Sequence, residues 1–199
     1  VACGLALKEK HVVFGIPPTL PHTGFGYIAC RSKTGTKKGV EVFRGLRFVE
    51  KPTLKKAKDF LRSGKYFWNS GIFVWKVSFF LESLGDAMPL VGKHFPKLRA
   101  ALGTSAGRSA VEKIFRSFPS VSIDYGLMES AKELVVIKAR FDWSDVGSWR
   151  ELENWHPKDS AGNTSVGNTV ALDSYGNIIR SEAKLVALLG VNDLLIVES

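Results

Sequence analysis

The chain has 199 residues, 45% of them hydrophobic, and a formal net charge of +9. A chain of this length can bury a sizeable core, and we expect one α/β domain with an appendage. It contains no run of about 18 apolar residues, so no membrane span is predicted, and its opening segment lacks the basic leader of a secretion signal. The positive charge favours an anionic partner such as phosphate, nucleotide or nucleic acid, although the basic residues form no arginine-rich run.

The first predicted strand covers residues 11–16 and is closed by two prolines. Gly24 and Gly26 precede the next apolar strand, where a glycine permits either a turn or the close approach of a ligand. Residues 32–39 are predicted to be a polar loop, and residues 40–49 a further strand. Chain order therefore predicts three strands before Glu50.

A short helix is predicted directly after Glu50 and Lys51. Pro52 ends the preceding strand, because proline cannot donate to a sheet and disfavours a helical residue before it. Thr53 is suited to cap the helix, and Gly64 is suited to end it. Between them the apolar residues recur at helical spacing, which predicts one buried face.

Residues 71–75 form a continuous apolar run that predicts a strand buried on both faces. Asn69 and Ser70 precede it and are predicted to form a polar turn at its mouth. We expect this turn and the Glu50 and Lys51 segment to reach the same edge of the sheet. The sequence therefore predicts a cluster of polar groups there.

Helices are predicted at residues 77–88, 90–102 and 110–118. Ser122 is predicted to cap another helix, and residues 133–139 a strand. The two cysteines are predicted to be buried reduced thiols, since their spacing fits no metal site.

Asp145 lies between two tryptophans, just before a predicted helix at residues 146–155. Its spacing favours a role as helix cap. The alternative is an oxygen ligand for Mg²⁺, which takes only one or two protein carboxylates.

Four short strands are predicted at residues 168–172, 177–180, 184–189 and 193–197, with no helix between them. This pattern predicts a separate all-β segment such as a solenoid coil. We place the domain boundary between residues 1–158 and 159–199.

Five segments in register carry a family resemblance: FVEKP, YFWNSGIFVW, SIDYGLMES, WSDVGSW and LVALLGVNDLLIVES. Together they resemble the mannose-1-phosphate guanylyltransferases, over almost the whole chain. The resemblance implies an α/β fold: part of a Rossmann-like nucleotide-diphospho-sugar transferase domain with a mixed sheet, followed by a short left-handed β-helix. It also implies the reaction of GTP with mannose 1-phosphate to give GDP-mannose and pyrophosphate, with Mg²⁺.

The resemblance also implies roles for five residues. Glu50 would accept hydrogen bonds from mannose hydroxyls, and Asn69 would bind the sugar. Lys51 would meet the sugar phosphate, and Gly24 would bring backbone amides to the sugar. Asp145 would be a metal carboxylate, and Lys51 and Asp145 would be the catalytic residues. Phosphoryl transfer depends on positioning and charge neutralisation, so no catalytic Ser, Cys or His is expected.

Two departures from the family pattern affect these expectations. The family's opening glycine-rich signature, guanine-binding segment and first metal carboxylate would lie before Val1. We therefore expect the chain alone to have little or no transferase activity. His22 stands where the family usually has a glutamate, which leaves the role of this side chain open.

Three alternatives remain beside this function. The chain could belong to a nucleotidyltransferase for another sugar 1-phosphate, or to a non-catalytic protein that binds sugar nucleotides. A nucleic-acid-binding module is disfavoured, because no recognition motif accompanies the charge. We expect GTP, mannose 1-phosphate and GDP-mannose as partners, neither nucleic acid nor membrane, a cytoplasmic location and a role in polysaccharide biosynthesis. Exposed edges of the β-helix could also pair two copies into a homo-oligomer.

Overall fold

A computed structural model describes residues 1–104 and 107–198. Contacts divide the chain into two compact units, Val1–Asp142 and Trp143–Ser199. The predicted boundary at residue 158 lies inside the second unit and stays a prediction. None of the helices in the described ranges has both the length and the apolar character that crossing a bilayer requires.

The first unit is built on a mixed sheet of five strands, which confirms the predicted α/β class. β1 pairs in parallel with β5, and all other pairs are antiparallel. The strands close into a barrel in the order β1, β4, β2, β3, β5. Their bounds are β1 His11–Ile16, β2 Tyr27–Lys37, β3 Val40–Val49, β4 Tyr66–Val74 and β5 Leu134–Lys138.

The hairpin of β2 and β3 explains why the sheet closes. The pairing of these strands shifts register three times between Ala29 and Gly35. Such bulges bend a strand and increase its twist, which lets β3 reach β5. The predicted loop at residues 32–39 is therefore wrong: β2 continues to Lys37, and the turn is confined to Lys38 and Gly39, with φ of 50° and 76°. Positive φ at both central residues is typical of a tight hairpin turn.

β4 contains the Asn69-Ser70-Gly71 segment that was predicted to be a turn at its mouth. β1 pairs with β4 on both sides of this segment, Val13 with Phe73 and Ile16 with Trp68. The segment is therefore a bulge within the strand, and Gly71 adopts the φ of 72° that the bulge requires. Burial on both faces is also wrong, since Ile72 is 42% exposed.

The central helix forms as predicted. α2 covers Leu54–Ser63, and the Thr53 side chain accepts a backbone N–H of its first turn at 3.5 Å. Gly64 ends the helix with φ of 63°. The apolar face of α2 packs against Tyr27 and Trp68, which fixes the helix on the sheet.

The other helices depart from the prediction in their bounds. A first helix at the start of the chain was not predicted. Cys3 lies within it and is exposed, so the prediction that both cysteines are buried is wrong for Cys3. Cys30 is buried, as predicted. The predicted helix at 90–102 is split in two, with Pro96 in the first turn of the second part. The helices are α1 Ala2–Ala6, α3 Val77–Ala87, α4 Pro89–Gly92, α5 Phe95–Ala101 and α6 Gly107–Arg116.

A π-helical segment, Asp124–Met128, replaces the regular helix predicted after Ser122. Ile123, and not Ser122, occupies the N-cap position of this segment. The backbone carbonyl of Ser122 accepts the N–H of Gly126 at 2.8 Å. Leu127 and Met128 are buried in the core formed by the barrel strands. The segment is thereby held against the sheet.

The second unit consists of short parallel strands, which confirms a β-helix-like segment. One sheet has the order β10, β8, β6, and the other pairs β7 with β9. The strands are β6 Thr164–Val166, β7 Thr169–Leu172, β8 Ile178–Arg180, β9 Val186–Leu189 and β10 Leu195–Val197. β6 was not predicted.

Buried asparagines connect successive coils of this unit. Asn163 Oδ1 accepts hydrogen bonds from the backbone and side-chain nitrogens of Asn177, both at 2.9 Å. Asn177 in turn accepts the N–H of Leu194 at 3.0 Å and donates to the carbonyl of Val191 at 3.0 Å. The ladder satisfies backbone groups that the narrow coils leave unpaired.

Candidate functional site

Glu50 follows β3 and is half-buried. Its Oε2 atom is buried and has no hydrogen-bond partner among the described residues. Burial raises the pKa of the Glu50 carboxyl, and the carboxylates of Asp124 and Glu129 raise it further, against the opposing effect of Lys51. An unpartnered buried carboxylate oxygen is costly, so this atom is a candidate acceptor for a ligand.

Lys51 follows Glu50 with φ of 43°, in the left-handed region. Its side chain is exposed. Pro52 comes next, so the chain turns sharply here before α2. The site therefore has one exposed cation directly beside the half-buried carboxylate.

Asn69 lies in the bulge of β4. Its Nδ2 donates to Asp124 Oδ1 at 3.1 Å, and its Oδ1 accepts the N–H of Gly71 at 3.1 Å. Ser70, the other predicted polar group, is buried and accepts the N–H of Ile72 at 3.1 Å. The Asn69 side chain therefore contacts Asp124, while the Ser70 hydroxyl accepts a hydrogen bond from the backbone of the bulge.

Gly26 brings the two predicted segments together. A Cβ built on Gly26 would overlap Oε2 of Glu50 and lie 3.2 Å from Cβ of Asn69. The Asn69 N–H also donates to the Gly26 carbonyl at 2.8 Å. The structure thus places Glu50 and Asn69 side by side, and the missing side chain of Gly26 makes the space for the carboxylate.

Gly24 lies just before this point, and its amide is already engaged. The Gly24 N–H donates to Nδ1 of His22 at 3.1 Å, and the His22 ring stacks on Phe25 with centroids 3.8 Å apart. The Tyr27 hydroxyl donates to the His22 carbonyl at 2.9 Å, which holds the turn. A ligand that uses the Gly24 amide would have to displace the imidazole.

Asp124 and Glu129 are the two residues that sequence reasoning missed. Besides the contact of Asp124 with Asn69, Glu129 Oε1 accepts the backbone N–H of Glu50 at 3.3 Å. Both lie in the SIDYGLMES segment that contributed to the family resemblance. The motif shows both carboxylates, but helical spacing alone assigns them no role at the site.

Asp145 lies in the second unit and is exposed. The helix predicted at 146–155 is wrong: a 3₁₀ helix covers Trp149–Asn154 instead. Asp145 Oδ1 accepts the N–H of Gly147 at 3.2 Å in a local turn, so Asp145 does not cap that helix.

Asp145 is suited to Mg²⁺ as a single hard oxygen ligand, because exposure leaves its second oxygen accessible. Within the described ranges no group of three or more His, Cys, Asp or Glu side chains is arranged to hold a metal ion.

A separate cleft of the first unit lies elsewhere. It has a volume of about 800 Å³ and is lined mostly by apolar residues such as Pro17, Cys30 and Phe67, with three basic residues among them. Neither Glu50 nor Asn69 lines it. The candidate site is therefore defined by converging polar groups and not by cavity size.

Two profiles of known protein families match this chain. The profile of the Nucleotidyl transferase family matches residues 5–162. The chain belongs to this family. The profile of the MannoseP isomerase/GMP-like beta-helix domain matches residues 167–199, which agrees with the parallel coils of the second unit.

Individual nucleotidyl transferase relatives are similar along nearly the whole chain. The mannose-1-phosphate guanylyltransferase of Escherichia coli is 36% identical over 94% of this chain. The xanthan biosynthesis protein XanB of Xanthomonas campestris is 38% identical over 100% of it. The alginate biosynthesis protein AlgA of Pseudomonas putida is 38% identical over 98%. The chain spans only about 40% of the length of these curated relatives.

Solved structures agree with the fold. A Thermus thermophilus protein, described as mannose-1-phosphate geranyltransferase, superposes with a TM-score of 0.80 and 34% identity. The match covers 100% of this chain and 56% of that protein. A Helicobacter pylori protein, described as mannose-6-phosphate isomerase, has a TM-score of 0.57 and 31% identity over 72% of this chain and 55% of its own.

Proposed function

We propose that this chain provides the sugar-phosphate-binding part of a mannose-1-phosphate guanylyltransferase, which forms GDP-mannose and pyrophosphate from GTP and mannose 1-phosphate. The juxtaposition of Glu50 and Asn69 around Gly26 carries the proposal. Sugar recognition requires an acceptor and a donor side by side, because each hydroxyl both donates and accepts hydrogen bonds. The names of the relatives support mannose 1-phosphate as the substrate.

In this mechanism each residue has one task. Glu50 Oε2 accepts a hydrogen bond from a sugar hydroxyl, which satisfies its buried lone pairs. Asn69 donates its remaining N–H to a second hydroxyl. Lys51 contacts the phosphate of the sugar as an exposed ammonium, and Gly24 offers its amide once His22 moves aside.

Mg²⁺ would be held in part by Asp145, the exposed carboxylate that the family resemblance indicates. When bound, Mg²⁺ would neutralise phosphate charge during transfer. Asp145 would contribute one carboxylate oxygen, while its Oδ1 accepts the N–H of Gly147.

We further propose a cytoplasmic enzyme of polysaccharide biosynthesis, supported by the alginate and xanthan proteins among its relatives and by two free cysteines. Pairing of two copies through the β-helix stays a prediction.

Calorimetric titration of the 199-residue chain with mannose 1-phosphate and with mannose tests the proposal. We expect saturable binding of both ligands. Lys51→Ala should weaken binding of mannose 1-phosphate about tenfold and leave mannose unchanged, because only the phosphate contacts the ammonium. Glu50→Gln should weaken the binding of both ligands.

Lys55→Ala, an exposed cation on α2, is the matched control and should change neither affinity. Absence of saturable binding, or an equal effect of Lys51→Ala on both ligands, would contradict the assignment. Tighter binding of glucose 1-phosphate than of mannose 1-phosphate would assign the site to another sugar.

A further inference from the structure

One short segment contacts both residues of the sugar site. Asp124 Oδ1 accepts a side-chain N–H of Asn69 at 3.1 Å, and Glu129 Oε1 accepts the backbone N–H of Glu50 at 3.3 Å. The two acids lie at the start of the π-helical segment and directly after its end. Each holds a different sugar-binding residue.

The π-helical turn explains how both acids reach the same site. In an α-helix, residues five apart are separated by about 140° around the axis, so their side chains diverge. Here the Glu129 N–H donates to the carbonyl of Asp124 at 3.0 Å, a bond between residues five apart. This wider turn brings Asp124 and Glu129 to one side, and single π turns are frequent at functional sites.

The contact with Asp124 determines the orientation of the Asn69 amide. Nδ2 donates to Asp124 while Oδ1 accepts from the Gly71 N–H. A flipped amide would place two acceptors together at Asp124 and two donors together at Gly71. One N–H of Nδ2 remains for a ligand, in an orientation that Asp124 sets.

We propose that Asp124 is a positioning residue that determines sugar specificity. It directs the second N–H of Asn69 toward one hydroxyl, while Glu50 Oε2 accepts from a neighbouring hydroxyl. The ligand class is a sugar phosphate with two adjacent hydroxyls of defined relative configuration. The inference rests on the proposed function, because it assumes that Glu50 and Asn69 bind the sugar.

Glu129 complements this role through the backbone. Glu129 accepts the backbone N–H of Glu50 and so anchors the chain at the end of β3. The Glu50 side chain, whose carboxylate lies next to Gly26, therefore extends from a fixed backbone position. The acceptor and donor are thus both held from the π-helical side, by contacts between distant parts of the chain. Such support of binding groups by neighbouring side chains preserves their geometry.

The test measures affinity for mannose 1-phosphate and for glucose 1-phosphate, which differ in configuration at one carbon. In the unaltered chain we expect preference for mannose 1-phosphate. Asp124→Ala should lower the affinity for mannose 1-phosphate about tenfold and bring the ratio of the affinities for the two sugar phosphates close to one. Asp59→Ala, which removes an exposed carboxylate on α2, is the matched control and should leave the ratio unchanged.

A double exchange separates positioning from folding. Asn69→Asp combined with Asp124→Asn keeps one donor and one acceptor between the two positions and the same total charge. We expect this variant to unfold at the same temperature as the unaltered chain but to lose preference for mannose 1-phosphate, because position 69 no longer donates. The Asn69 side-chain amide resonances should also shift in Asp124→Ala.

Three outcomes are informative. If the unaltered chain binds neither sugar phosphate, the proposed function fails. If it discriminates and folded Asp124→Ala discriminates equally, only the positioning role fails. If Asp124→Ala does not fold, the double exchange decides: retained discrimination overturns the inference, and lost discrimination in a folded variant supports it.

Discussion

The indole N–H of Trp75 donates to Nδ1 of His11 across 2.9 Å in the first unit. His11 is only 2% exposed, and burial lowers the pKa of its imidazole. Because the indole can only donate, Nδ1 must remain unprotonated, and the neutral ring carries its proton on Nε2. Asp86, Lys132 and Glu133 line the cavity next to the ring.

This pair predicts acid sensitivity of the first unit. The unfolded chain binds a proton at His11 below about pH 6.5 while the folded state resists it, so stability falls as the pH decreases below that value. The slope has an upper limit of about 1.4 kcal/mol per pH unit for one proton. Urea unfolding between about pH 7.5 and about pH 5.5 measures it. His11→Gln should flatten the dependence, and an unchanged slope in this variant would contradict the assignment.

The absence of a side chain at Gly26 predicts a steric effect of substitution at the proposed sugar site. Gly26→Ala should destabilise the chain by about 1–3 kcal/mol and weaken mannose 1-phosphate binding, since the added Cβ would overlap the Glu50 carboxylate. Urea unfolding and calorimetric titration measure the two effects. Gly4→Ala is the control: its Cβ would meet nothing within 4 Å, and alanine favours the helix there. Normal binding by Gly26→Ala would disprove the close packing of Glu50.

The asparagine ladder predicts a large stability effect in the second unit. Asn177→Ala should cost about 1–3 kcal/mol, because Asn163 Oδ1, the Leu194 N–H and the Val191 carbonyl each lose a bond. Asn168→Ala, an exposed site of the same unit, should change stability by less than about 0.5 kcal/mol. Thermal unfolding compares the stabilities of the two variants. Equal losses of stability would show that the ladder is not the source of the effect of Asn177→Ala.

Glu198 predicts a second pH dependence in the β-helix. Its Oε2 accepts the N–H groups of Glu182, Ala183 and Lys184 at 2.9, 3.1 and 3.0 Å, as well as the hydroxyl of Ser181. These bonds, that of Ser181 first, lower the pKa of Glu198 to about 2.

The stability that Glu198 contributes is therefore present above about pH 4.3 and is lost as the pH falls toward 2. Glu198→Gln should lower the melting temperature near neutral pH and reduce its acid dependence. Glu182→Gln, an exposed neighbour, is the control. A variant with the same melting temperature as the unaltered chain would show that the bonds are not stabilising.

Several elements could be predicted because their signals are local. α2 forms between Thr53 and Gly64, since the cap, the apolar spacing and the αL residue act within one segment. The strands at 11–16 and 40–49 have the predicted bounds for the same reason. The five motifs also identified the family correctly.

The errors lie where pairing between distant segments overrides local preference. Asn-Ser-Gly is a typical turn sequence, yet β1 pairs on both sides of it and converts it into a bulge. The polar residues after Cys30 look like a loop, yet pairing with β3 extends β2 to Lys37. Ser122 is a suitable cap, but packing of Leu127 and Met128 favours a π turn.

By itself, the sequence determined the central helix, the main strands, the family and the approach of Glu50 and Asn69 to one edge. Only the tertiary structure decided three hydrogen bonds: Asp124 accepts from the Asn69 side chain, Glu129 accepts the backbone N–H of Glu50, and His22 accepts the backbone N–H of Gly24. The physical reason is range: capping and periodicity act over a few residues. The contacts of Asp124 and Glu129 join positions 55 and 79 residues apart, which meet only when the sheet and the π turn have packed.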